Sequence, residues 1–272
     1  MRARVRYEKT GKLRFVSAID LGRLWERALR KADVPIAYSE GFSPHPKVSF
    51  PDALPLGYAS TGEYAELVLA APIELEPAME DLNAAFPAGM AVLDAVEVTD
   101  GAPRLAKWLR ASVWDLRYPV DQHGTLDAAV NSVVTADEAL VDRDRKGEIT
   151  TLDLRPAIHT LFADITDEDD DVHATVRATV HHVEPPMRPS EVHQALDRAA
   201  RTDTGAPLAE PTLVTRVAQG EPNQEGLVEA LSGDLLSPQP NTRSPKAATR
   251  DRRTARQRDN RAGAGGHERL GT

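Results

Sequence analysis

Residues 37–50 read AYSEGFSPHPKVSF. This run sets Phe42, Ser43, His45 and Lys47 among Gly41, Pro44 and Pro46, with Tyr38 and Ser39 just before them. These residue types suit contact with a nucleic acid. An aromatic ring stacks on a base, lysine neutralises a phosphate, and serine and histidine hydrogen-bond either. Two prolines remove two backbone donors and fix two φ angles, so the run is expected to be a rigid loop interrupting strands, not a central strand. Loops held on a sheet commonly carry functional groups. The alternative puts Phe42 in the core, ends an edge strand at the prolines and leaves His45 in solvent.

Other candidates are scattered. Arg23, Arg27 and Arg30 recur at helical spacing on one face of an expected helix after Ser17. Arg155–Pro156 and Arg188–Pro189 each place an arginine just before a helix start, where it could meet an anion. His181 and His182 are adjacent, so on a strand they face opposite sides and make no two-histidine metal pair. DEDDD at 167–171 reads as a solvated turn, and TGK at 10–12 as a hairpin turn without P-loop flanks. No metal and no cofactor are expected.

The elements that must position these residues follow from periodicity. RARVRY at 2–7 alternates as a half-buried strand, and LRFVS is expected to resume it. Ser17 and Asp20 have capping-box spacing, and Leu21, Leu24, Trp25, Ala28 and Leu29 form one apolar stripe. EYAELVLA, a Pro77-led helix and GMAVLDAVEV complete a β-α-β-β-α-β order over residues 1–100, the ferredoxin-like arrangement. The pattern recurs over 101–218 in SVWDLRYPV, TLDAAVNSVVTAD, GEITTLDL, VHATVRATV, RPSEVHQALDRAA and PTLVTRVA, with RPAIHTLF as a short helix between strands. The expected fold is therefore α+β: two tandem ferredoxin-like units with antiparallel sheets, then a disordered basic tail over 219–272, rich in Pro, Gly, Ser and Arg.

Composition narrows the chemistry. The chain has 272 residues and no cysteine, which excludes disulfides, thiolate metal sites, iron–sulfur clusters and a cysteine nucleophile. No apolar run approaches a membrane span, and MRARVRYEKT passes straight into strand pattern without a signal-peptide core, so a soluble cytoplasmic protein is expected. The net charge of −9 is unevenly spread: +6 over 1–47, −21 over 48–240 and +6 over 241–272. Such asymmetry bears on partners.

The segment KLRFVSAIDLGRLWERALRKADVPIAYSEGFSPHPKVSFPDALPLGYASTGEYAELVL, with DLRP at 153–156 and RPSEV at 188–192, closely resembles the radical-SAM-linked domain of unknown function. That bacterial family occurs fused behind a radical-SAM domain or alone. The resemblance runs to about residue 215, with GFSPHPK and the following LPLG as its specific signature. It implies a stand-alone member that is not itself the radical enzyme, which needs CxxxCxxC. Tandem ferredoxin-like units also look like RAMP-type CRISPR repeat-processing proteins, an analogy of fold alone. Three readings result. The first is a non-catalytic RNA- or tRNA-binding module using Arg2, Arg4, Arg6, Arg14, Arg23, Arg27 and the 41–47 loop. The second is a docking or substrate-carrying partner of a separate radical-SAM enzyme. The third is an RNA-processing enzyme using His45.

Overall fold

The computed structural model describes residues 1–99, 101–168 and 171–236. It shows a mixed α+β fold with four α-helices on a mixed sheet. Strand β1 (Arg2–Lys9) leads into a 3-10 turn (Gly11–Phe15) and helix α1 (Ala18–Lys31). The LRFVS segment thus curls instead of resuming a strand, because Thr10 hydrogen-bonds the Gly89 carbonyl and the chain must turn there onto the helix. Ser17 caps α1 by accepting from Asp20 N at 3.2 Å. The first half continues through the two-residue β2 (Val48–Ser49), β3 (Ala59–Val68), α2 (Leu75–Ala85) and β4 (Met90–Glu97).

The second half holds β5 (Ala111–Tyr118), α3 (His123–Thr135), β6 (Leu140–Arg145), β7 (Glu148–Asp153), β8 (Ile158–Glu168), β9 (Asp171–His181), α4 (Pro189–Thr204), β10 (Leu213–Asn223), β11 (Gly226–Glu229) and β12 (Leu235–Leu236). Two expectations are corrected here. GEITTLDL does not join the main sheet but pairs with β6 in a separate hairpin. RPAIHTLF is a single 3-10 turn (Arg155–Ala157) running into β8, whose β-branched and aromatic residues pair antiparallel with β9. A third correction concerns the tail. Residues 219–236 are not disordered: β10 runs to Asn223, β11 pairs onto it and β12 onto β11, burying Leu227 against Ala111, Val113 and Ala218. The remainder of the expected tail, 237–272, lies outside the described residues.

The main sheet has the order β4-β1-β3-β10-β5-β9-β8, with β2 on the far end of β3. It is one continuous sheet, not two. The halves join where β10 pairs parallel with β3 at Thr215–Ala59 and Arg216–Ser60. Strand alternation sends Ala3, Val5, Tyr7, Ala65 and Leu67 toward α1 and α2, where Tyr7 meets Trp25 edge-on at 5.2 Å and Trp25 meets Phe86 at 5.0 Å. A second core gathers Trp114, Leu116 and Val176 of the sheet with Leu126 of α3 and Leu196 of α4. The seam needs Gly62, since a Cβ there would lie within 2.6 Å of the Ala218 and Val217 backbone.

Across the seam lies a buried ion cluster. Arg216 is 2% exposed and grips Glu63, 3% exposed, through Nε at 2.8 Å and Nη2 at 2.7 Å. Arg216 also bonds the Asp52 carboxylate, donates to the Asp52 carbonyl at 3.1 Å, and stacks its guanidinium 5.3 Å from the Trp114 ring. Burial works against its charge, but Glu63 and Asp52 more than offset this and hold its pKa above the ordinary value. Removing one partner leaves a charge buried and unpaired. Arg216→Met is expected to cost about 3–5 kcal/mol in urea unfolding, and adding Glu63→Leu to recover most of that. Equal stability of Arg216→Met and wild type would show the pair to be idle.

Candidate functional site

The 37–47 loop is built by short pairings at the end of β3. Ala37 N donates to Val68 O at 2.7 Å, Lys47 N to Ala37 O at 2.7 Å, and Val68 N to Lys47 O at 3.0 Å. Inside this frame Ser39 braces the tip: its N–H donates to His45 O at 2.8 Å, and its Oγ accepts from His45 N at 2.9 Å. Gly41 takes a positive φ of 120°, a conformation side-chain-bearing residues avoid. Phe42, Ser43, Pro44, His45 and Lys47 are all exposed, and Tyr38 is 42% exposed. Phe42 is therefore not core: its ring is fully exposed at the tip. Ser39 thus braces the loop.

Beyond the loop the chain becomes a strap. Phe50 packs edge-on against Tyr7 and Trp25 at 6.2 and 5.8 Å. Asp52 meets Arg216, and Leu54 and Tyr58 pack on the second core. Gly57 N then donates to Arg14 O at 2.8 Å. The strap crosses both cores, so the loop that precedes it is anchored to the whole molecule.

Arg23 and Arg27 stand exposed on α1, with Arg23 3.2 Å from Asp20. Ile19, Arg23, Arg27 and Arg30 follow one another on the outer stripe, and Phe15, 60% exposed, precedes them with the Arg14 guanidinium 4.8 Å from its ring. The strand arginines do not share this surface. Arg4 is buried on the opposite face of the sheet, donating to Glu66 at 3.0 Å and to the Pro103 carbonyl, and Arg2 also pairs with Glu66. Alternation along β1 put Ala3, Val5 and Tyr7 under the helices, so Arg2, Arg4 and Arg6 had to face away.

The remaining candidates lie apart from the loop. Arg155 donates to the Val134 and Ile158 carbonyls at 3.1 and 3.3 Å, tying off the end of α3. Arg188 is the N-cap of α4, its N–H held by the Glu191 carboxylate at 2.8 Å, and Glu191 also pairs with Arg143. Both belong to the second half and join no site with the loop. His181 and His182 diverge: the His181 ring lies 5.0 Å from that of His159, whereas His182 Nε2 meets Ser112 Oγ at 2.7 Å and its Nδ1 meets Leu109 O at 2.8 Å. Among the described residues no group of three His, Asp or Glu side chains gathers to hold a metal.

Sequence reading missed the Arg216–Glu63–Asp52 cluster and the Ser112–His182 contact. The first had a signal. Glu63 falls in register with Ala65 and Leu67, and Arg216 with Val214, so both charges occupy core-facing positions. The second joins residues 70 apart in sequence and left no local pattern.

A family model described as an uncharacterized protein conserved in bacteria (DUF2344) matches residues 2–202. No curated protein matches the chain.

Burial lowers the pKa of both His181 and His182, so between the lowered values and about 6.5 the unfolded chain binds more protons than the folded one. Stability is therefore expected to fall as pH drops through that interval, above the range where the carboxylates Asp142 and Asp197 protonate. Thermal unfolding between pH 7.5 and 5 checks this, and His182→Gln should flatten the slope. A midpoint that is flat over this interval in wild type would contradict it.

Proposed function

Taking as premise that the chain belongs to the DUF2344 family of uncharacterised bacterial proteins, we propose that it is a non-catalytic RNA-binding module. One observation carries the reading: a fully exposed Phe42 sits on a braced loop beside exposed His45 and Lys47. An exposed aromatic with a cation beside it matches the stacking-plus-phosphate mode of single-strand binding. The α1 stripe of Arg23 and Arg27, headed by Arg14 and Phe15, supplies further phosphate contacts and a second ring.

The scaffold reading is tandem ferredoxin-like units. Its support is the matching neighbour order of the halves, β4-β1-β3-β2 and β10-β5-β9-β8, each the fourth, first, third and second strand of its unit. No helix among the described residues is long and apolar enough to cross a membrane. With no cysteine in the chain, we read it as working in a reducing, cytoplasmic setting.

A second reading, a docking partner for a separate radical-SAM enzyme, is favoured by the net −21 over residues 48–240, a surface an RNA ligand would avoid. The third, RNA processing by His45, lacks support. Among the described residues only the His45 backbone is hydrogen-bonded, so nothing orients its ring for proton transfer.

Binding of a random single-stranded RNA across a salt series separates these readings. Wild type is expected to weaken linearly in log salt. His45→Ala/Lys47→Ala should reduce the slope by about 0.7 per lost phosphate contact. Phe42→Ala should lose about 1–3 kcal/mol at unchanged slope, the signature of a lost stack. No binding at low salt would overturn the reading and favour a protein partner.

A further inference from the structure

A second feature lies on the sheet face away from α1. Residues 103–108 and the turn 229–233 enclose a cleft of about 550 Å³, within the usual size of a small-molecule site. Two of its lining residues, Ala230 and Leu231, are backed by the buried apolar cluster of Tyr64, Leu105 and Leu109.

The turn is held rigid from below. Glu229, 2% exposed, spends its carboxylate internally, accepting from the Tyr64 hydroxyl, from Leu231 N at 3.0 Å and from Ser232 N at 2.6 Å. The opposite wall is Trp108, 45% exposed, fixed by the Arg4 guanidinium 6.0 Å from its ring. Arg4 is anchored in turn to Glu66 and the Pro103 carbonyl. A half-exposed indole on a fixed mount is a stacking platform.

Two charges of opposite sign line the same cleft: Lys107 from one wall and Glu221 from β10. Among the described residues neither side chain is in an ion pair. The Ser232 hydroxyl accepts from Asp234 N at 3.1 Å and keeps its own proton to donate.

We propose that this cleft binds a guanosine 5′-monophosphate unit, with the base stacked on Trp108, its edge read by Glu221, and the phosphate held by Lys107. The indole wall suits a planar ring, and the lysine an anion. The base choice follows from Glu221. A carboxylate only accepts hydrogen bonds, and guanine presents two adjacent N–H donors on its pairing edge, where adenine offers an acceptor beside its amino group. The site uses no residue of the loop or of α1, so its failure and that of the RNA reading are separate results.

The test is titration of the full chain with guanosine 5′-monophosphate, followed by indole fluorescence. Guanosine, inorganic phosphate and adenosine 5′-monophosphate serve as comparisons. Saturable quenching by the guanine nucleotide is expected, and Trp108→Leu should abolish it, since Trp25 and Trp114 are buried. Lys107→Ala should weaken the nucleotide about fivefold, roughly 1 kcal/mol, and leave guanosine unchanged. Glu221→Gln should erase the preference for guanine over adenine. Lys107 and Glu221 are exposed, so their variants are expected to unfold at the wild-type urea midpoint, which separates loss of binding from loss of fold. No saturable quenching at millimolar nucleotide, quenching that survives Trp108→Leu, or charge variants that bind as wild type would each overturn the proposal.

Discussion

The Arg216 guanidinium is the point on which the rest of the structure depends. It leaves β10, crosses the only seam between the two halves among the described strands, and is neutralised by Glu63 from β3 and Asp52 from the strap. Only two residue pairs of β3 and β10 are in parallel register, so backbone pairing at the seam is thin. Ser60 Oγ adds a bond to the Arg216 carbonyl at 3.0 Å, and Gln219 Nε2 one to the Gly62 carbonyl at 3.0 Å. A bidentate arginine–carboxylate pair fixes both distance and angle, which two ladder rungs cannot do alone. The same guanidinium holds Asp52 of the strap, while backbone bonds to Val68 of β3 hold the base of the 37–47 loop.

Much of the first half was legible. The apolar stripe of α1 and the Ser17 cap were readable because both rest on local spacing, and the structure keeps both. The Gly41–Lys47 loop was readable because proline chemistry excludes a ladder there. What failed was non-local. β8 was hidden behind Pro156, whose helix-starting signal extends to a single 3-10 turn before cross-strand pairing with β9 takes over. The ordered stretch 219–236 looked polar because its few apolar residues, Leu227 above all, are buried one at a time against another part of the chain. Arg4 and Arg6 were read as part of a basic surface shared with α1, but strand alternation assigns them to the other face.

That separation of faces organises the chemistry. On the helix side, exposed arginines border solvent, while Arg216 reaches inward to Glu63 and Asp52 and Lys9 to the Val16 carbonyl. On the other side, Arg4 is consumed in holding Glu66, Pro103 and Trp108 in place. Basic residues clustered at the start of the sequence therefore serve two ends: some build a wall, and some remain available to a ligand. Counting charge along the chain could not distinguish them, whereas the register of β1 does.

The most direct test of the account is hydrogen exchange of backbone amides with and without single-stranded oligouridylate, which offers no guanine to the cleft at Trp108. Added protection confined to the 37–47 loop and the exposed face of α1, with the second half unchanged, is the predicted result. Protection in the α3–α4 half alone, or none at an RNA concentration that saturates any binding seen, would contradict it and move the search to the acidic surface and a protein partner.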